Sequence, residues 1–190
     1  MKKYYISFLV LIKMIIISLQ VQASPAPKTI WIKAISDTLP VPKNIKNLLF
    51  YVQRDPNTNT VIYELNLKPD GKINENEPIK IYWIRYAEKG IRRDLNYFQR
   101  KLAYGLNVKK ISPGNYEFQF VCYSKLTFRL SQDQSGKYHV YTNLNQNNAI
   151  VNRVFARING GSFWVPNVEY VDIFGKEVAT GKEVRSRIMP

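Results

Sequence analysis

Between Ile79 and Gly105 two unlike side-chain periodicities meet with almost no loop between them, and no other stretch limits the fold so tightly. From Ile79 to Ala87 the chain reads IKIYWIRYA, which as a strand sets Ile81 and Trp83 on one side and Tyr82, Ile84 and Tyr86 on the other. A strand apolar on both faces lies inside a sheet and is covered above and below. Gly90 breaks that pattern, and the apolar positions become Leu95, Phe98, Leu102 and Leu106, the spacing of one helix face. With Asp94 as N-cap and Gly105 as a left-handed closing residue, the spacing predicts an amphipathic helix over about residues 93–104. That helix is expected to lie flat on the sheet, across the strand that carries Trp83.

The start of the chain reads as an address. Lys2 and Lys3 precede an apolar run from Ile6 to Leu19, and Val21-Gln22-Ala23 has the small-x-small form of a signal-peptidase site, so residues 1–23 are expected to be removed. Lys13 interrupts the run, which is also short for a membrane span, and retention as an anchor is the alternative. After cleavage no stable transmembrane segment is expected. Residues 24–28 are expected to form a flexible tail, and residues 29–190 are long enough for a single domain with a full core. Cys122 is the only cysteine, so that core must stand without an intramolecular disulfide. Losing Lys2, Lys3 and Lys13 lowers the formal charge from +14 to +11, which favours anionic partners. The basic residues are nevertheless spread along the chain, as a solubilising surface would have them.

The remaining pattern is of short strands and turns. Thr29–Ile35 is a strand candidate, and Asp37–Asn47, with Pro40 and Pro42, is irregular. Leu48–Arg54 and Thr60–Leu67 flank Asp55–Asn59 as a hairpin. Beyond the helix, Asn115–Tyr123, Lys125–Ser131 and Lys137–Thr142 alternate, and Asn143–Asn148 reads as a loop. Ala149–Ile158 and Ser162–Phe174 are expected to join at Asn159-Gly160-Gly161. The fold class is therefore mainly β: an antiparallel β-barrel or two-layer sandwich with one helix inserted mid-chain.

The segments LFYVQRDPNTNTVIYELN, EPIKIYWIRYAEKG, LNYFQRKLAYGL and VDIFGKEVATGKEV resemble a family of small exported bacterial proteins described only as a domain of unknown function. The resemblance spans nearly the whole chain after residue 23 and implies a single-domain periplasmic or envelope protein of a Gram-negative bacterium. It transfers no catalytic residue.

Several chemistries fail on residue supply. Cys122 and His139 form the one conceivable thiol and base pair, but Cys122 shares a strand face with Phe118 and Phe120, where a thiol serves as a small core residue, and His139 falls on the water side. One His and one Cys cannot complete a zinc shell, and Asp55, Asp70 and Asp133 sit singly in turns, so neither a metal nor a cofactor is expected. Glu64, Glu117, Glu169 and Asp172 are strand carboxylates that a glycan hydrolase would need in facing pairs, yet their spacing selects no pair. Tyr and Phe interleaved with Lys and Arg can stack bases, but export and strict strand alternation argue against a nucleic-acid partner.

The arginines point to a binding site instead. Arg54 ends an apolar strand face and Arg85 shares a face with Ile81 and Trp83, so both are expected at the mouth of a cavity, where a guanidinium grips a carboxylate or phosphate. Arg100 and Tyr104, one helical turn apart, are expected to join them. The favoured function is a non-catalytic binding module for a small anionic or apolar ligand or an envelope component, with Arg54, Trp83, Arg85, Arg100 and Tyr104 as ligand-binding residues. The alternatives are an envelope-glycan hydrolase acting through strand carboxylates and a basic interaction protein without a pocket.

Overall fold

Phe50 and Phe118 show how this chain folds. A computed structural model of the protein describes residues 39–55, 57–162 and 165–189, all within the unit Lys33–Pro190. The expected leader at 1–23, the tail at 24–28 and the strand at Thr29–Ile35 lie outside the described residues. Eleven strands are described: β1 (Leu48–Asp55), β2 (Asn57–Leu65), β3 (Ile79–Arg85), β4 (Ile91–Asp94), β5 (Leu106–Ser112), β6 (Asn115–Phe120), β7 (Tyr123–Gln132), β8 (Tyr138–Leu144), β9 (Asn147–Gly161), β10 (Pro166–Glu177) and β11 (Glu183–Ile188). They form one sheet in the order β4-β3-β2-β1-β9-β8-β7-β6-β5, with β10 on the other edge of β9 and β11 beyond it.

In a flat sheet β1 and β6 would lie four strand spacings apart, about 19 Å. The rings of Phe50 and Phe118 are 6.2 Å apart, and Phe128 on β7 is 6.4 Å from Phe50. The sheet therefore curls hard on itself and stays open, as a half-barrel. Inside the curl Phe50 stacks on Tyr63 at 4.3 Å and Phe118 on Phe128 at 5.3 Å, with Phe120 edge-on to Phe50 and Phe128. Such ring pairs contribute about 0.5–1.5 kcal/mol each beyond their buried area. Ladders are antiparallel throughout except one: β1 runs parallel to β9, Tyr51 beside Arg153 and Val52 beside Val154.

Trp83 and Tyr82 are both buried, so β3 is covered on both faces as its pattern requires. What covers them differs from expectation. Residues 91–94 are not helical; they form β4 and pair with β3, Tyr82 opposite Asp94. The helical segment shrinks to α1 (Tyr97–Gln99) and a π-type turn at Arg100–Tyr104. Asn96, rather than Asp94, caps it: its side chain accepts from the Gln99 amide while the Gln99 side chain accepts from the Asn96 amide. The stripe does not cover the sheet either, since Phe98 and Leu102 are 53% and 54% exposed. β-pairing of residues 91–94 uses up the first helical turn, and the remainder is too short to lay its apolar positions flat.

Three turns also move. Gly160 and Gly161, both at positive φ, sit at the end of β9 instead of in the turn, and β10 begins at Pro166. Gly161 pairs with Pro166 so closely that a Cβ would lie 2.4 Å from the Asn167 nitrogen. The Asn-rich loop is a two-residue turn, Asn145 and Gln146 having φ of 51° and 71°, the mirror-image turn that matches strand twist. Val121 and Cys122 make the turn between β6 and β7, which puts Cys122 at the rim instead of in a strand face.

Candidate ligand-binding site

Three of the five expected site residues converge at one end of the half-barrel. Arg54 leaves β1 on the face shared with Phe50 and Val52, and its guanidinium carbon lies 6.0 Å from the ring centres of both Trp83 and Tyr104. Those two rings meet edge to face at 5.0 Å. The Trp83 indole donates to Gln99 Oε1 at 3.3 Å, and the Tyr63 hydroxyl donates to the Tyr104 carbonyl at 2.8 Å. Strand alternation thus delivers Arg54 and Trp83, while the helical turn delivers Tyr104.

Burial raises the Tyr104 phenol above its ordinary value, against the pull of the Arg54 charge. Tyr63, fully enclosed, is raised well above its ordinary value by burial. Cys122 adds to both shifts, and burial raises its own thiol too. A thiol held protonated in this way is a poor nucleophile.

Arg54 is the unusual member. Its buried Nε–H donates to no partner among the described residues and no described carboxylate pairs with its guanidinium, although the Arg54 side chain does hydrogen-bond the Tyr104 phenol. The adjacent Asp55 is engaged by Arg157. A buried guanidinium nitrogen without an acceptor costs on the order of 1–3 kcal/mol. Arg54 also lines a cleft of about 510 Å³, with Asn57, Thr58, Asn59, Ile158, Gly160 and Ser162 among its walls. That volume falls in the range of small-ligand sites, roughly 300–1,000 Å³.

Arg85 and Arg100 stand elsewhere. Arg85 is tied to Glu88 at 2.7 Å in an exposed turn, and Arg100 faces Glu77 at 3.6 Å on a second cleft. Both found an acid three-dimensionally close that sequence spacing does not reveal in the case of Glu77.

The strand carboxylates are engaged one by one. Glu64 accepts from the Tyr82 hydroxyl at 2.8 Å and lies 3.9 Å from Arg92. Asp172, fully buried, receives Arg187 at 2.8 and 2.9 Å and Arg185 at 2.6 Å. Glu169 is 3.7 Å from Arg157, and Glu117 stands exposed opposite Lys109 and Arg129. His139, half-buried rather than on the water side, contacts Asp133 at 3.0 Å. His139 pairs with Ser131 while Cys122 precedes Tyr123 at the other end of β7, eight residues or about 26 Å of strand away. Those two residues cannot act together. Among the described residues no group of three or more metal-ligating side chains gathers, and no helix is long and apolar enough to cross a membrane.

Sequence reasoning missed the orphaned Nε and the Asp172 cluster, because each depends on cross-strand neighbours more than a hundred or only a dozen residues away. The alternation of Tyr170, Asp172 and Phe174 opposite Arg185 and Arg187 is the signal that marks the second.

Fold and site together define a mainly β half-barrel with an arginine laid against aromatic rings at one mouth. The chain belongs to the family of the domain of unknown function DUF4833, whose model matches residues 50–187. No curated protein and no solved structure matched it.

Proposed function

We propose that this chain is an exported, non-catalytic binding module of the periplasm or envelope, holding a small ligand with an acidic group at Arg54. The half-barrel acts as an incompletely closed barrel, its mouth carrying the site. The observation that supports this reading is the Arg54 Nε, buried and without an acceptor at the wall of a cleft. A carboxylate or phosphate entering from the cleft meets a fork that no described carboxylate occupies, with Asn57, Thr58, Asn59 and Ser162 as further polar partners. Trp83 and Tyr104 flank the guanidinium from the inner side, each ring centre 6.0 Å from its carbon.

The test is to purify the protein from the periplasm of its host and identify co-purifying small molecules by mass spectrometry, alongside Arg54→Met. An acidic compound that comes down with the wild type and is lost from Arg54→Met is the expected result. Thermal stability of the variant should change by less than about 1 kcal/mol, because the lost ring contacts are offset by removal of an unsatisfied donor. A compound retained by Arg54→Met would mean that the scattered basic surface, rather than Arg54, does the binding.

A further inference from the structure

Adjacent large apolar side chains left in water mark an interaction surface, and three occur on the short helical segment after β4. Tyr97, Phe98 and Leu102 are 65%, 53% and 54% exposed. Their exposure is built in. Gln99 Oε1 accepts from the Trp83 indole at 3.3 Å and from the Asn96 amide at 3.1 Å, and the Tyr104 carbonyl accepts from Tyr63 at 2.8 Å, so those two residues hold the inner side of the segment. Phe98 and Leu102 are four positions apart, as are Tyr97 and Lys101, which makes each pair neighbours on a helical surface. Tyr97 and Phe98 meet edge to face at 5.6 Å. The three residues line neither the Arg54 cleft nor the cleft beside Arg100, so they form a protrusion instead of the wall of a small-molecule pocket.

The charge around the protrusion is mostly of one sign. From Ile91 to Leu102 four basic residues, Arg92, Arg93, Arg100 and Lys101, stand against one acid, Asp94, and all five are exposed. Arg92 lies 3.9 Å from Glu64 and Arg100 3.6 Å from Glu77, whereas Arg93 and Lys101 pair with no carboxylate among the described residues. Lys101 donates to the Tyr97 hydroxyl at 3.0 Å with its ammonium 5.4 Å from the ring centre, which holds a positive charge at the border of the apolar group.

That charge selects the occupant. A second copy would set the same four basic residues against themselves. Residues 1–38 of this chain carry Lys2, Lys3, Lys13, Lys28 and Lys33 against Asp37 alone, and Pro56, Phe163, Trp164 and Pro190 carry no charge, so none of the chain's own residues outside the described ones complements it. Three half-exposed side chains also fall far short of the roughly 800 Å² per partner that a stable protein interface buries. An anionic phospholipid surface answers both features: it accepts aromatic rings and leucine at the acyl boundary and sets phosphates against Lys and Arg above it.

We propose that the Tyr97–Leu102 segment docks the protein on a membrane rich in anionic phospholipid, with Tyr97, Phe98 and Leu102 entering the interface and Arg93 and Lys101 against the headgroup phosphates. The Tyr97 hydroxyl and the Lys101 ammonium stay at headgroup level while the rings and the leucine lie below it. Each basic residue held near such a surface strengthens binding about fivefold.

The probes are vesicles of phosphatidylcholine with and without phosphatidylglycerol, mixed with the full chain and read by flotation and by amide exchange. Exchange at residues 97–102 reports this segment alone, whatever the apolar residues at the start of the chain do. It should slow on vesicles with phosphatidylglycerol and not on phosphatidylcholine alone. Flotation should weaken about tenfold in Tyr97→Ser/Leu102→Ser and again in Arg93→Glu/Lys101→Glu. Tyr97 and Leu102 are both more than half exposed, so their double variant should melt with the wild type. Unchanged exchange at 97–102 on either vesicle would overturn the proposal and leave an acidic protein as the partner. Equal slowing on both vesicles would refute the charge requirement. Slowing that survives Tyr97→Ser/Leu102→Ser would place the contact elsewhere. A lower melting temperature of that variant without lipid would show the patch already covered within the chain, and a dimer by light scattering that the variant abolishes would make a second copy the occupant; either refutes membrane docking. None of these readouts involves Arg54, so the protrusion and the mouth are tested separately.

Discussion

Tyr63 donates its hydroxyl proton to the main-chain carbonyl of Tyr104 at 2.8 Å, across 41 positions of sequence. This bond ties the short helical segment to the centre of the core, since Tyr63 is fully buried and stacked on Phe50. It also fixes Tyr104 where its ring meets Trp83 and Arg54. Replacing Tyr63 with Phe keeps the stack and strands the carbonyl. A loss of about 1–2 kcal/mol in urea unfolding is expected, with faster amide exchange over residues 97–104. Unchanged exchange there would show that the helical turn is held by its side chains alone.

Gly105 carries a second constraint on the same turn. Its φ is −69°, so the left-handed closure expected from sequence does not occur. What requires glycine is space: a Cβ would fall 1.9 Å from the Arg100 carbonyl oxygen, which is backbone and cannot swing aside. Gly105→Ala should cost roughly 1–3 kcal/mol by forcing the π-type turn to open. The same variant should blunt binding of an acidic compound at the proposed Arg54 site, because Tyr104 immediately precedes the displaced residue. Alanine tolerated at both readouts would contradict this account.

Asp172 makes the acid side of the stability curve informative. Burial alone would raise its carboxyl, but hydrogen bonds and charge from Arg187 and Arg185 outweigh it and hold the group below its ordinary 3.8. A pKa lower in the fold than in the unfolded chain means stability that is complete above about pH 4 and lost as pH falls through the folded value. Asp172→Asn should remove that acid dependence and lower stability by about 2–3 kcal/mol near neutral pH. The lower end of the range for a broken buried pair applies, since both guanidiniums reach water. Chemical denaturation at pH 7 and pH 3 measures both effects.

Two further titrations report local geometry. Asp133, accepting from the Ser135 hydroxyl and from the amides of Lys137 and Ser135, is lowered to about 2. Carbon-detected NMR should place its midpoint there, and Ser135→Ala should move it upward. Tyr82 is raised to about 12 by burial, its bond to Glu64 and the Glu64 charge, against Arg92. A phenol pKa higher in the fold than in the unfolded chain leaves stability intact below pH 10 and erodes it between about 10 and 12. Glu64→Gln should bring the Tyr82 transition, read by alkaline absorbance, closer to 10.

The strands were largely legible because alternation records which face each residue occupies, and Phe50, Val52 and Arg54 do share a face as the alternation of β1 requires. Turns were less so. Asn145 and Gln146 read as part of a loop, yet amide side chains tolerate positive φ, and strand twist selected a tight turn. The helix failed for a different reason. Its spacing is compatible with a helix from Ile91 onward, but the open edge of β3 offers Ile91–Asp94 a ladder, and tertiary pairing outweighed local periodicity.

By itself the sequence settled that the protein is mainly β, that Trp83 and Tyr82 are buried on opposite faces of β3, and that Arg54 shares the inward face with Phe50. These follow from a period of two, which needs no knowledge of neighbours. Only the tertiary structure decided that Arg85 and Arg100 go to Glu88 and Glu77, that β1 lies parallel to β9, and that Arg54 remains without a carboxylate among the described residues. Those outcomes depend on which strands meet when the sheet curls, and distances across a curl are set by packing of the aromatic core and leave no mark in local spacing.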